Sequence, residues 1–456
     1  GRTNAEGSFE ITGIPENNYR VTVSGGGFKT QSVDINMNKD VVYHFTVEEL
    51  EFTSSPEWKT ANNNIHRNAV SSEVISYENL VSNWFTETPG NIVFASPVVG
   101  EGLVVVTTDR GVIVALDQET GEIIWQITTG ATNRSTPTIE DGVVYVAGGA
   151  NRNIYAINLY TGMTIWTHQV DYPAVYESPL YHEGIVYVSA MWTEGAKLIA
   201  LDANNGRQLW STVVGDGTVF GASIGDDRLY VGTYEGRSLK ALSLEDGSEI
   251  WSYSHASQGF AARPVFVDGV VYATSTDFSV GTLYAFDAAT GNVLWSVNDV
   301  GDTQAVSPIV YEDYVVLGSA SVAALRAFNK NTGAQVWRSN QISTMVNNGA
   351  ITANGILYVV DSFNALHAVD VYTGNVLSRH SLPGSSSSGV AITAGEVIVG
   401  TQRGISSFTS FGLFNGRITD EDGNGLAGKV TILETGLTAD ADENGNFQMY
   451  VTPGAY

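Results

Sequence analysis

The chain of 456 residues contains no cysteine. That excludes a disulfide, a thiolate metal site, a thioether-linked haem and a cysteine nucleophile. Positive charge is also scarce. Lys and Arg total 22 against 48 Asp and Glu, for a formal charge of −26. Binding along a phosphate backbone needs a basic footprint, so nucleic acid is excluded as a partner class and anionic membrane surfaces are disfavoured. No run of 18 apolar residues occurs, so no transmembrane helix is expected. Histidine is limited to 7 scattered positions, none paired at metal-ligand spacing. There is no Gly-x-Ser-x-Gly elbow, no phosphate-binding loop and no dinucleotide fingerprint after a strand.

Glycine (49), tyrosine (21) and tryptophan (9) are what the chain has instead. They are organised by one phrase, AFDAATGNVLW in residues 285–295. It reads as a strand end, a turn opened by Asp287 and closed by Gly291, and a new strand reaching Trp295. The phrase recurs with turn glycines at Gly121, Gly162, Gly206, Gly247, Gly291, Gly333 and Gly374, separated by 41, 44, 41, 44, 42 and 41 residues. A strand-turn-strand period near 42 predicts an all-β propeller, one four-stranded blade per repeat.

Tryptophan marks the same place in each repeat: Trp84, Trp125, Trp166, Trp210, Trp251, Trp295 and Trp337, with Ser378 in the last. A large ring at one fixed place per blade is expected to staple neighbouring sheets. Trp84 has no turn phrase before it, and the last repeat, residues 389–408, has three strands and lacks a fourth. The two fragments complete one blade. Eight innermost strands can be counted, so eight blades closed by residues around Trp84 are expected.

The ends read differently. Residues 1–50 alternate apolar and polar positions, with Tyr19 and Val21 on one face. Residues 413–456 repeat the pattern of Gly7, Phe9, Pro15 and Tyr19 as Gly445, Phe447, Pro453 and Tyr456. Both ends resemble parts of the carboxypeptidase regulatory-like family of small Greek-key β-sandwich modules. The expected domains are therefore a partial module (1–50), a polar linker (51–79) with a short helix from Ser71, the propeller (80–412) and a second partial module (413–456). A window cut from a longer multi-module chain is the simplest account. DADENGN, residues 440–446, starts like a calcium loop, but Val451 stands where the closing Glu belongs, so a hairpin turn is expected.

The repeated AxDxxTGxxxW phrase with eight blades resembles the quinoprotein alcohol dehydrogenase-like propellers. That superfamily includes PQQ-dependent dehydrogenases and BamB-type outer-membrane assembly lipoproteins. The resemblance implies a PQQ and Ca²⁺ site over the channel in an enzyme. Glu177, Arg263 and Asn348 stand at plausible mouth positions for it, but the adjacent cysteine pair and a matching Asp are missing.

No cofactor is therefore expected. The expected function is a non-catalytic, secreted or cell-surface scaffold for protein or glycan partners, located extracellularly, at the cell surface or in the periplasm. A PQQ-dependent dehydrogenase and a BamB-like assembly scaffold are the alternatives. The expected ligand face is the mouth formed by loops leading into the innermost strands, carrying Arg134, Tyr176, Glu177, Phe220, Phe260, Arg263, Gln304, Asn347 and Asn348. The opposite face repeats acidic turns at Asp117, Asp202, Glu245 and Asp287, and repetition points to folding.

Overall fold

A computed structural model describes residues 17–25, 28–37, 57–78, 80–130, 134–171, 177–322, 325–345, 349–410, 412–417, 427–431 and 438–451. Every described element is a β-strand. Eight antiparallel sheets form the blades, and in all but blade 8 the strands follow sequence order from the channel outward. Blade 1 runs Val98–Gly100, Leu103–Thr107, Val112–Asp117 and Ile123–Thr128. In blade 3 the second and third strands run on as one 18-residue strand, Ile185–Asp202. Blade 8 joins Val390–Thr393, Glu396–Gly400 and Gly404–Ser410 to Leu80–Glu87 as its outermost strand. The innermost strands of blades 8 and 1 are neighbours, which closes the ring.

The repeated phrase explains itself in packing. Its small first residue sits in a cross-strand row between two large rings. Ala156 pairs with Tyr145 on one side and Trp166 on the other, and Ala285 pairs with Tyr272 and Trp295. The Tyr145 and Trp166 rings lie 6.0 Å apart, as do those of Tyr272 and Trp295. A bulkier residue than alanine would force these rings apart. The polar residue that opens each turn, Asp or Asn except for Ser243 in blade 4, caps it. The Asp117 carboxylate accepts from the Thr120 N–H and hydroxyl at 2.8 Å each, and Asp287 accepts from Thr290 likewise.

Each tryptophan then reaches the next blade. The indole N–H of Trp125 donates to the Leu159 carbonyl at 2.7 Å, that of Trp166 to Ala203 at 2.8 Å, and that of Trp337 to Val371 at 2.8 Å. Trp84, Trp210, Trp251 and Trp295 do the same to Gln118, Leu244, Ala288 and Lys330. The ring lies flat on that blade's turn glycine. A Cβ added to Gly121 would sit 2.5 Å from Trp84, and one on Gly162 would sit 2.8 Å from Trp125. Ser378 breaks the series for a topological reason. The turn that should receive a ring from blade 7 belongs to blade 8, whose outer strand comes from the N-terminal side and has no such turn. Ser378 instead bonds His380 at 3.1 Å.

The closure carries a buried carboxylate. Glu396 of blade 8 is 7% exposed. It accepts from Asn83 on the closing strand at 2.7 Å, from Ser407 at 2.9 Å and from Gln118 of blade 1 at 3.3 Å. Burial pushes its pKa up, against the pull of these donors. A carboxyl raised in the folded state stabilises the fold most at low pH and loses that contribution as pH rises through its folded value. Glu396→Gln is therefore expected to be more stable relative to the parent at pH 8 than at pH 5. Denaturant midpoints at the two pH values check this, and a pH-independent difference refutes it.

Of the expected flanking modules, the described parts are strand pairs. Asn17–Gly25 pairs with Phe28–Met37, Gly412–Arg417 with Asn446–Val451, and Gly428–Thr431 with Thr438–Ala441. Gly7, Phe9, Pro15, Pro453 and Tyr456 lie outside the described residues. Residues 442–445 form a turn, with Asp442 accepting from the N–H groups of Asn444 and Asn446, but the strands on its two sides are paired in different two-stranded sheets, so the expected hairpin is not formed.

The segment expected as a polar linker is different in kind. Residues 57–78 pack inside the ring against the channel-facing edges of the blades. Trp58 is 1% exposed and Arg67 is fully buried. Residues 71–78, expected as a short helix, form bends and a turn.

Candidate functional site

The mouth is built by the loops that enter the innermost strands. Glu177 precedes blade 3, and Arg263 precedes blade 5. Their side chains meet at 3.1 Å, each about one-seventh exposed. Gly221 makes room for the pair. Its φ is +80°, and a Cβ there would lie 3.1 Å from Glu177 Oε2 and 3.4 Å from Arg263. The Ser135 hydroxyl donates to the Glu177 carbonyl at 3.2 Å. The Arg263 Nε–H is buried without an acceptor.

Arg67 supports this pair from below. Its five N–H groups meet five acceptors. Nε donates to Ala222 O at 3.0 Å, Nη1 to Thr60 Oγ1 at 2.8 Å and Ala61 O at 2.9 Å, and Nη2 to Ser178 O and Pro179 O at 3.3 Å each. Burial pushes its pKa down to about 9, helped by the Arg263 charge and opposed by Glu177. It remains a cation at neutral pH. The floor of the mouth thus holds two guanidinium groups and one carboxylate.

The remaining expected residues do not converge there. Arg134 is exposed, with its guanidinium 5.4 Å from the Phe94 ring centre. Gln304 is exposed, and its backbone N–H donates to Asp302. Phe220 is half-buried beside Gly221. Phe260 is a correction: it is fully buried, packed against Tyr253, Tyr284 and Phe286. A two-residue strand, Gly259–Phe260, ties it to blade 5 and turns the ring into the core. Tyr176, Asn347 and Asn348 lie outside the described residues. Sequence reasoning missed Arg67, because a lone arginine in an Asn-rich stretch reads as solvated. It also missed the buried pair His367–Asp361, at 3.0 Å in blade 7. Among the described residues, no group of three or more His, Cys, Asp or Glu side chains is placed to hold a metal ion.

A family model described as outer membrane protein assembly factor BamB matches residues 58–219, 195–326 and 321–419. The chain belongs to this family. The match takes in the channel segment from Trp58 onward as well as the blades. Among curated relatives, the assembly factor BamB of Yersinia pestis is 26% identical over 332 residues, covering 66% of this chain and 80% of that protein. The BamB of Shewanella oneidensis is 26% identical over 267 residues, covering 55% of this chain and 64% of that protein. The quinohemoprotein alcohol dehydrogenase ADH IIB of Pseudomonas putida is 28% identical over 209 residues, but this covers only 27% of that enzyme. Solved structures share the fold. BamB from Moraxella catarrhalis superposes with a TM-score of 0.59 at 17% identity, over 72% of this chain and 97% of that one. The quinohemoprotein alcohol dehydrogenase from Comamonas testosteroni gives 0.68 at 14% identity, over 80% and 83%.

Proposed function

We propose that this propeller is a non-catalytic protein-binding scaffold that serves outer-membrane protein assembly, as the names of its BamB relatives state for them. The family match across the whole ring, residues 58–419, carries this reading. It replaces the secreted or cell-surface scaffold for protein or glycan partners as the first choice, because the family match and the BamB relatives support it better. On this reading the protein faces the periplasm or sits at a membrane surface.

The mouth is a poor match to a PQQ and Ca²⁺ site. The carboxylate best placed for Ca²⁺, Glu177, is already neutralised by Arg263. Arg67 adds a second positive charge below it, which repels a divalent cation. Among the described residues Glu177 belongs to no group of three or more His, Cys, Asp or Glu side chains that could hold a metal ion.

The test is a pair of measurements on the purified chain. Affinity capture from envelope extracts of the source organism should recover an outer-membrane assembly protein, and recovery should survive a salt wash. Incubation with PQQ and Ca²⁺ should yield no dye reduction with alcohols or sugars. Dye reduction without capture would replace the scaffold by the enzyme reading.

A further inference from the structure

Residues 58–75 meet every blade in turn, and at the same level. The N–H of Val99 donates to Trp58 O at 2.9 Å and that of Ile139 to Lys59 O at 2.8 Å. The N–H of Ile224 donates to Ile65 O at 2.8 Å, that of Phe266 to His66 O at 3.1 Å and that of Ile351 to Ala69 O at 2.9 Å. In blade 6 the Asn68 amide takes both Val310 groups, accepting from its N–H and donating to its carbonyl at 2.9 Å each. These six donors occupy equivalent places. Each lies on the free edge of an innermost strand, and most pair with the residue five positions on in the second strand. Blade 3 is reached through Arg67, whose Nη2 meets the Ser178 and Pro179 carbonyls. Blade 8 is reached through Glu73, which accepts from the Gly395 N–H at 3.1 Å.

The ends of the segment rest on the turns that follow the innermost strands. Glu57 accepts from the Glu101 N–H, Lys59 pairs with Glu140, and Ile75 O accepts from Asn354. The segment therefore fills the end of the channel opposite the mouth. Arg67 is the part that points towards the mouth.

We infer that residues 58–75 form a releasable plug, a strap that closes the turn end of the channel and opens as a unit while the eight blades stay folded. The ring has stabilising contacts of its own that the plug does not share. Blade ladders, the Tyr–Ala–Trp rows and the tryptophan docking on turn glycines include no strap residue. The strap is held by backbone edges and amide side chains, which are worth little net of hydration, and by Trp58, Ala69 and Ile75, which are buried against the blades near its two ends. It also carries its own costs. Asn62, Asn63 and Arg67 have φ of +56°, +74° and +59°, a region L-residues other than Asn resist. Arg67 is desolvated with carbonyl and hydroxyl oxygens as its direct partners, so no carboxylate offsets that cost by contact. When the strap leaves, the six edge donors and the arginine regain hydration. Such a segment is expected to open locally, well below the cost of global unfolding. The inference rests on the fold and is independent of the assembly role.

The absence of cysteine makes the test direct. Ala61 lies in the strap at 2% exposure, and Ser189 lies within blade 3 at 3%. Ala61→Cys and Ser189→Cys each give the full chain one buried thiol, the second nearly isosteric and the first larger than the parent by one sulfur atom. Maleimide labelling under native conditions is expected to be slow for both, but at least about tenfold faster for Ala61→Cys. Adding Asn68→Ala, which removes both Val310 bonds, should speed Ala61→Cys labelling by roughly another tenfold and leave Ser189→Cys unchanged. Equal rates at the two sites would mean that the strap opens only when the ring unfolds, and would overturn the inference. Labelling of Ala61→Cys at the speed of a free thiol would overturn it from the other side, by showing that no plug is seated. A rate insensitive to Asn68→Ala would overturn it too.

Discussion

Replacing Leu80–Glu87 by an equal length of Gly and Ser is expected to abolish cooperative melting. Equal length keeps the strap joined to the first blade, so the effect reports the strand alone. The strand pairs along its whole length with Gly404–Ser410. All seven residues of that partner are buried, so losing the strand uncovers an unpaired backbone edge together with Ile405 and Phe408. Trp84 leaves the Gly121 turn, a loss of about 3–5 kcal/mol by analogy with other buried aromatic truncations. Asn83 leaves Glu396, which then holds a buried charge with fewer donors. These terms together are comparable to the whole stability of an ordinary domain, roughly 5–15 kcal/mol. The readouts are calorimetry and size-exclusion chromatography. A broad transition or aggregation is expected. A single sharp transition at the parent temperature would show that blade 8 closes without this strand.

The ring was legible in the sequence because its determinants repeat. Trp84 lies 41 residues before Trp125, and that interval placed it on the last blade although no turn phrase precedes it. The same logic made Ser378 legible as an exception, but its cause needed topology: the receiving turn is missing from blade 8. The strap was illegible for the opposite reason. Its partners are backbone edges of different blades, so its side chains need no apolar period. Three of its asparagines instead bond the strap itself, Asn62, Asn63 and Asn64 donating to the carbonyls of Arg67, Val70 and Asn68. Such a stretch has the composition of a solvated connection. The mouth was legible only in part. Glu177 and Arg263 were placed there from their position before a Ser-Pro or Pro step. Phe260, from the same reasoning, turned inward because a side chain's direction at a loop end depends on one residue of register.

The docking of rings on glycines gives a double-mutant cycle with a large coupling. Gly162 is held at φ +69°, and its missing Cβ would fall 2.8 Å from the Trp125 ring. Gly162→Ala therefore meets two costs. The left-handed backbone disfavours alanine by roughly 1–2 kcal/mol. The ring must also lift, which weakens the indole bond to Leu159 O and the packing beneath it, at about 2 kcal/mol more. Trp125→Ala alone should cost about 3–4 kcal/mol, since the side chain is 7% exposed. In the Trp125→Ala background the ring is gone, and Gly162→Ala should fall back to the backbone cost alone. Gly130→Ala is the control, because Gly130 has φ +80° and a Cβ there would meet nothing within 4 Å. Its cost should match the backbone part only. Chemical denaturation of the four variants of the cycle and the control measures each step. The expected coupling between Gly162 and Trp125 is about 2 kcal/mol. A coupling near zero, with Gly162→Ala costing no more than Gly130→Ala, would mean that the turn glycines serve backbone geometry alone and that the rings do not hold the blades together through them.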